Sequence, residues 1–316
     1  MKNKLKKLLE IYEKKCIYKY LFWIVDLPYY FVRYFIDDET LIRYRYKRVF
    51  KREPEFINYN TLNEYIHHRS LFEHNELFTK CADKYLVRDY VKDRVGEQYL
   101  IPLIDVVDKV DEIDYEKLPK EFVLKVNHGS GQNILVWNKE NIDKKEVACQ
   151  LNYWLKRNHY YSAREWQYKN IKPKIIIEKL LVDKNGNIPD DIKFHCFDGK
   201  IEFIQVDTDR FTTHKRVLYN TKWEKQPFLW SPADSNGEPV YKLGDGIKRP
   251  KKLDEMIFVA EKLSKDFKYV RVDLYLHIDN IYFGELTFTH GGGLEKFFPE
   301  KYDYILKKRL DKSKKI

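Results

Sequence analysis

Along residues 269–277 hydrophobic and polar positions alternate with the period of an extended strand. Val270, Val272, Leu274 and Leu276 share one face, and Arg271 and Asp273 share the other. Ile278-Asp279-Asn280 suits a three-residue hairpin loop, because Asn tolerates the left-handed conformation such loops need. The returning strand then runs through Glu285-Leu286-Thr287, with Asp273 opposite Glu285 and Arg271 opposite Thr287. A slip of one residue would send the two carboxylates to different faces. Facing carboxylates repel unless a cation lies between them. A hard divalent cation such as Mg2+, which takes oxygen ligands, satisfies both. The plainer reading is a polar outer face carrying a surface Arg–carboxylate pair.

The same periodicities divide the rest of the chain. Residues 1–75 are aromatic, basic and mostly helical. Within 1–20, Leu5, Leu8, Leu9, Tyr12 and Cys16 fall at helical spacing and lysines fill the other positions. Asn75–Arg94 reads as one helix stopped by Gly96, followed by a strand over Tyr99–Val107. Strands are expected at Glu121–Asn127 and Asn133–Trp137, joined by the loop His128-Gly129-Ser130-Gly131-Gln132. Residues 143–157 place Val147, Leu151, Trp154 and Leu155 on one helical face. Lys174–Leu181 is β-rich, and Asp198-Gly199 is a hairpin signal between Asp191–Phe197 and Lys200–Val206. Residues 211–249, rich in polar residues, Gly and Pro, read as a long functional loop region. Leu253, Met256, Ile257, Ala260, Leu263 and Phe267 mark a further amphipathic helix, and the basic tail from Lys307 is expected to fray.

Composition narrows the class. In 316 residues, 43% are hydrophobic and 16% aromatic, enough for a substantial core, while 34% charged residues favour a soluble protein. A net charge of +10 favours an anionic partner, and no nucleic-acid-reading motif accompanies it. Cys16, Cys81, Cys149 and Cys196 are scattered without metal spacing, which fits free thiols in a reducing cytoplasm. No apolar run approaches a membrane span. The basic, aromatic N-terminus reads either as a membrane-surface anchor or as a helix packed on the body with a solvated Lys face.

A second signal is Lys125, set within an apolar strand that runs straight into a loop with two glycines. A buried unpaired ammonium is costly, so Lys125 needs an anion. Gly129 and Gly131 let backbone N–H groups approach a phosphate closely. No Walker-type motif is present, and the plain alternative is an ordinary hairpin turn. A third is Ile175-Ile176-Ile177-Glu178-Lys179, an apolar strand ending in a charged pair. It could present backbone groups to an adenine edge, or simply reach solvent.

In order, Asp83-Lys84-Tyr85-Leu86-Val87-Arg88, Lys125 with its Gly loop, the Ile-Ile-Glu segment, the Arg-x-Asp strand and the Glu-x-Thr strand resemble the ATP-grasp superfamily. More narrowly, they resemble its TupA-like, teichuronopeptide-biosynthesis family, over roughly residues 75–305. The resemblance implies an α+β ATP-grasp fold: two α+β subdomains clasping a nucleotide, with a helical N-terminal extension. The implied divisions are 1–75 (helical, basic and aromatic), 76–118 (N-terminal part of the body), 119–180 (lid with the Gly-rich loop and hinge), 181–306 (C-terminal subdomain with the Mg2+ site) and 307–316 (basic tail). It also implies roles. Arg88 and Lys125 grip ATP phosphates, and Gly129, Ser130 and Gly131 cover them. Glu178, Lys179 and Leu181 form the adenine hinge, and Asp191 lies near the ribose. Arg271, with Lys125, is catalytic, stabilising the transferring phosphoryl group. Asp273 and Glu285 bind Mg2+. Thr287 stands where the family has a ligating Asn, and His290-Gly291-Gly292-Gly293 replaces the usual Pro-Gly. His290, Gly291, Gly292 and Arg210 are candidate substrate contacts.

The implied activity is an ATP- and Mg2+-dependent carboxylate–amine ligase working through an acyl phosphate. It would couple an amino acid to a uronic-acid-containing cell-surface polysaccharide or its precursor. The expected partners are an anionic sugar acceptor and an amine donor, with no nucleic acid, in the cytoplasm at the inner face of the membrane. A sugar phosphotransferase and a glycosyltransferase of polysaccharide biosynthesis are the alternatives.

Overall fold

The computed structural model describes residues 31, 34–183, 186–189, 191–208 and 214–313. The amphipathic pattern of residues 1–20 and the candidate contact Arg210 lie outside them. In chain order the elements are α1 (Asp38–Phe50), α2 (Leu62–Phe72), α3 (Glu76–Ala82), α4 (Val87–Val95), β1 (Leu103–Val107), β2 (Phe122–Val126), β3 (Asn133–Val136), α5 (Lys144–Leu155) and α6 (His159–Ala163). There follow β4 (Ile175–Lys179), β5 (Asp191–Phe197), β6 (Lys200–Thr208), β7 (Lys215–Tyr219), β8 (Leu229–Ser231), β9 (Lys242–Leu243), α7 (Leu253–Ser264), β10 (Tyr269–His277), β11 (Asn280–Thr287), β12 (Lys296–Phe298) and α8 (Lys301–Lys312). Helices and antiparallel sheets are mixed within the chain, so the fold is α+β as expected.

Two compact units are built from this order. The first takes the described residues up to 40, together with 83–85 and 102–180. Its four-stranded sheet runs β1-β4-β2-β3, every neighbour antiparallel. Phe122, Leu124 and Val126 alternate inward and pack with Ile175 and Ile177 against Val147 and Leu151 of α5. Helix α5 starts where the Asp143 carboxylate accepts the N–H groups of Lys145 and Glu146, a regular N-cap. The alternate positions of β2 and β4, Val123, Lys125, Ile176 and Glu178, occupy the other face.

The second unit takes residues 41–82, 86–101 and the described residues from 181 onward. Its main sheet has the order β11-β10-β5-β6-β7-β9, antiparallel except for the parallel β7–β9 pair. Register assigns its two faces. Val270, Val272 and Leu274 of β10 lie beside Cys196, Phe194 and Ile192 of β5, all buried, and α7 packs on these strands with Leu253, Met256, Val259, Ala260 and Leu263. Each Val, Leu, Ile, Phe or Met among them contributes on the order of 1.5–3 kcal/mol. The opposite face is aromatic at one end, where Phe197, Phe203, Leu218 and Tyr269 meet Trp230, α2 and α8. At its other end it carries the charged residues of the site described below. Asp198 and Gly199 adopt φ of +45° and +81°, the paired left-handed conformations of a tight hairpin turn, as their sequence predicts.

Several expectations are corrected. Asn75–Arg94 is two helices, α3 and α4, interrupted at residues 83–86. The Asp83 carboxylate accepts the Tyr85 N–H (2.8 Å) and Asn127 Nδ2 (3.0 Å), which draws this segment out of helical register. Residues 214–249 are not a structureless loop: β7 joins the main sheet, and Trp230 of β8 is fully buried against it. The chain does not fray at Lys307, because α8 continues to Lys312 with Leu306 and Leu310 fully buried. Cys81 and Cys196 are buried free thiols, whereas Cys149 is disulfide-bonded, a pairing that depends on proximity in space and not on spacing. Among the described residues no helix is long and apolar enough to cross a membrane.

Candidate active site

In the first unit Lys125 projects from β2 and donates to Glu178 Oε2 at 2.7 Å. The pair is partly shielded: the Lys125 side chain is 23% exposed and that of Glu178 9%. So Glu178 does not simply reach solvent at a strand end. The β2–β3 turn follows, with Gly129 buried and Ser130 and Gly131 exposed. Gly131 has φ +69° and open space around it, a conformation that favours glycine. The Gly129 carbonyl accepts from Lys84 Nζ, a contact the sequence did not suggest. Asn127 braces the turn: its Oδ1 accepts the Lys174 N–H (2.7 Å), and its Nδ2 donates to the Lys172 carbonyl (2.9 Å) and to Asp83. At the end of β4, Lys179 is exposed and lines a cavity of about 430 Å3 with Leu180, Pro102, Ile104, Pro119, Lys120 and Glu121. Of the remaining hinge and phosphate residues, Leu181 is buried in the second unit, and Arg88 on α4 donates to the Ile101 carbonyl at 3.0 Å.

In the second unit Asp273 is paired with Glu285, and Arg271 with Thr287. The register is the expected one, but the route is different. His277 pairs with Asn280, so the turn has two residues, Ile278 and Asp279, with Ile278 at φ +59°. A bulge at Gly284 restores the missing residue. A Cβ at 284 would lie 3.0 Å from the Asp273 carbonyl oxygen, so glycine permits the close approach.

Arg271 fills the space between the carboxylates. Its Nε and Nη2 donate to Asp273 Oδ1 and Oδ2, both at 2.6 Å, and Nη2 also donates to Glu285 Oε1 at 2.8 Å. This is a bidentate fork, the strong geometry for a guanidinium and carboxylate. Burial opposes the charge on Arg271, but Asp273 and Glu285 outweigh it and hold the guanidinium protonated. Thr287 Oγ1 donates to Glu285 Oε1 at 3.0 Å. Asp273 is 2% exposed, while the Glu285 side chain is 40% exposed.

Behind this cluster runs a buried polar chain. Arg271 Nη1 donates to His290 Nδ1 at 2.7 Å. A guanidinium only donates, so Nδ1 is the acceptor and Nε2 carries the ring proton, which it gives to Glu295 Oε2 at 3.1 Å. Burial pulls His290 down to about 4 despite the pull of Glu295. Glu295 also accepts from Arg216 Nη1 at 2.8 Å, and burial there is outweighed by His290 and Arg216, which hold its carboxyl at about 2. Arg216 Nε donates to Asp207 Oδ1 at 2.7 Å, and Gln205 Nε2 donates to Asp207 Oδ2 at 2.8 Å. His195 Nε2 donates to Gln205 Oε1 at 3.1 Å, and its Nδ1 accepts from the Tyr269 hydroxyl at 3.1 Å. Both ring nitrogens of His195 and of His290 are therefore committed within the protein. Asp191, the expected ribose neighbour, is buried and ion-paired with Lys193.

Gln205, Asp207, Arg216 and Glu295 are not among the residues expected from the sequence. A signal for Arg216 was present: it shares the parity of Leu218 in β7, so a charge was due on a buried face. Of the expected substrate contacts, Gly291 and Gly292 form a left-handed turn after His290, with φ of +56° and +62°. Gly292 has open space around it. Among the described residues no group of three or more His, Cys, Asp or Glu side chains is arranged to hold a metal ion.

The sequence matches the TupA-like ATP-grasp family over residues 64–310. No curated protein matches it. Solved structures similar to it include D-alanine–D-alanine ligase from Bacillus anthracis (18% identity, 66% of this chain and 56% of that one, TM-score 0.36). Phosphoribosylamine–glycine ligase from Thermotoga maritima is similar at 10% identity over 67% of this chain and 48% of that one, with TM-score 0.34. The chain spans about half the length of these solved relatives, and likeness at this level says nothing of substrate. The family match itself covers well over half of the sequence, from α2 to α8, and on that ground the chain belongs to the TupA-like ATP-grasp family.

Proposed function

We propose that the protein is an ATP-dependent carboxylate–amine ligase that activates an acid as its acyl phosphate and joins it to an amine. The observation that carries this reading is the β10–β11 hairpin, where Asp273 faces Glu285 and Arg271 lies between them. Two carboxylates and the Thr287 hydroxyl are all oxygen donors, a set suited to Mg2+. Since the described residues offer two acids here, phosphate oxygens and water would complete the coordination. Bound there, Mg2+ would neutralise phosphate charge.

The roles proposed for this chain's own residues are those that the family resemblance implies. Lys125 and Arg88 bind phosphate oxygens, Lys125 by exchanging Glu178 for the nucleotide. The backbone of Gly129, Ser130 and Gly131 covers the phosphates. Lys179 and Leu181, with Glu178, hold the adenine edge, and Asp191 serves the ribose. Arg271 stabilises negative charge on the phosphoryl group in flight, the largest contribution expected of a preorganised cation. The substrate carboxylate oxygen bonds to the γ-phosphorus as the β–γ bridge breaks and ADP leaves. The amine nitrogen then bonds to the acyl carbon, phosphate leaves, and the amine proton passes to solvent. The acid and amine are proposed to be a uronic acid of a cell-surface polysaccharide, or its precursor, and an amino acid, met at the inner face of the membrane. The net charge of +10 and the family support an anionic acceptor.

The test is product analysis with Mg-ATP, glutamate and a uronic-acid acceptor. The expected result is an amide with one ADP and one phosphate released, dependent on both substrates and lost in Glu285→Gln, whose half-exposed site leaves the fold intact. Phosphate transfer to a sugar hydroxyl without an amine would overturn the reading in favour of a phosphotransferase.

A further inference from the structure

Arg271 makes one contact that neither carboxylate explains. Its Nη1 is directed at a histidine nitrogen that accepts only while the ring is neutral and its proton sits on the far side. The structure secures that proton in three ways. Glu295 Oε2 accepts it at 3.1 Å. Arg216 Nη1 fixes the same carboxylate oxygen at 2.8 Å and is itself anchored by Asp207 and the Trp230 carbonyl. Trp230 Nε1 donates to the Glu295 carbonyl at 3.1 Å, and the Trp230 ring lies 4.3 Å from that of His290.

The glycine turn is shaped to the same end. A Cβ on Gly291 would lie 2.5 Å from Glu295 Cγ, so a side chain at 291 would push Glu295 from beneath His290. A Cβ on Gly293 would lie 2.7 Å from His67 Nε2, which instead donates to the Gly293 carbonyl at 3.0 Å. The turn is thus clamped on one side by His67 and on the other by Glu295.

We propose that Arg216, Glu295 and His290 form a positioning relay that fixes the rotation of the Arg271 guanidinium. Asp273 alone determines the plane of the fork, but a third, independent direction is needed to stop it sliding towards Glu285. His290 supplies that direction. It is a positioning residue, not a base, because both nitrogens are in use. The proposal rests on the reading that Arg271 stabilises the transferring phosphoryl group.

The experiment has two arms on the full chain. In the first, 15N-histidine NMR at neutral pH is expected to give His290 as the Nε2–H tautomer, with the Nδ1 resonance displaced in Arg271→Lys. An Nδ1–H tautomer overturns the relay whatever the enzyme does. In the second, Mg-ATP consumption by His290→Ala is expected to fall about 100-fold in kcat, the scale of a misplaced catalytic group, with KM for ATP nearly unchanged. His290→Gln, whose amide oxygen still accepts from Arg271, should recover most of the loss. In an Arg271→Lys background the same His290→Ala change should have little further effect, since coupled residues are non-additive. Equal losses in both backgrounds overturn the proposal. If the wild-type protein consumes no ATP, the functional reading fails, and the NMR arm alone decides the relay.

Discussion

Lys125 and Arg271 both stand on sheet strands beside acids, yet their surroundings differ. Lys125 meets Glu178 at 2.7 Å and keeps 23% of its side chain in water. Arg271 is buried and is held at once by Asp273, Glu285 and His290. A pair whose ammonium end is partly exposed can trade its carboxylate for a phosphate at lower cost than a fully buried one, because water screens the end that changes partner. A buried, saturated guanidinium cannot, and it acts best where its position must not change. Under the proposed function, the first unit carries a grip that can open, and the second a cation that is set in advance.

The largest test of this contrast is Arg271→Ala. Removing the cation leaves Asp273 and Glu285 facing each other, and the expected loss is about 3–5 kcal/mol in thermal or urea unfolding. Millimolar Mg2+ should return part of it, since a ligand that binds the folded state raises its stability. No response to Mg2+ would count against the pair as a metal site.

Acid is the next lever. His67 is pulled down to about 4 and His195 well below its usual value by burial, as is His290. Between the unfolded value near 6.5 and their folded values, the unfolded chain binds more protons, so stability falls as pH falls through that window. For His67 alone the loss by pH 4 is about 3 kcal/mol. Asp303, pushed up to about 7 by burial, and Asp273, also raised by burial, oppose this, while His128, lowered by burial, adds to it. A melting temperature that stays flat from pH 7 to 4.5 would refute the neutral-histidine assignment.

A smaller effect is expected at Gly284→Ala, about 1–3 kcal/mol, because the added carbon meets the Asp273 carbonyl oxygen and strains the bulge. Mg2+-dependent activity should fall with it. Lys125→Ala should change stability least, by about 1 kcal/mol or less, while weakening ATP affinity at least tenfold, as loss of a charge-assisted phosphate contact would. A stability loss at Lys125 equal to that at Arg271 would erase the distinction between the units.

The parts legible in the sequence were those governed by short-range pattern. Alternation gave β10 its two faces, apolar spacing gave α5 and α7, and Asp198-Gly199 gave its turn. The Asp273–Glu285 register came out as expected only because two local departures offset each other, a turn one residue shorter and a bulge one residue longer. Pattern does not reveal a bulge, since it depends on where a glycine lets two backbones approach. The relay lay further out of reach. Arg216 and Glu295 are separated by 79 positions, and nothing local marks either as the other's partner. Asn75–Arg94 failed as one helix for a similar reason: Asp83 is claimed by Asn127, a residue 44 positions away.

The bulge at Gly284 also bears on how this hairpin tolerates changes in length. In a regular antiparallel pair, losing a residue from one strand turns everything beyond it inside out. Here Gly284 is a surplus residue, so its deletion would leave Asp273 and Glu285 still opposite each other on a plain ladder. Descendants of this chain can shorten the hairpin by one codon and keep both acids on the same side of the sheet.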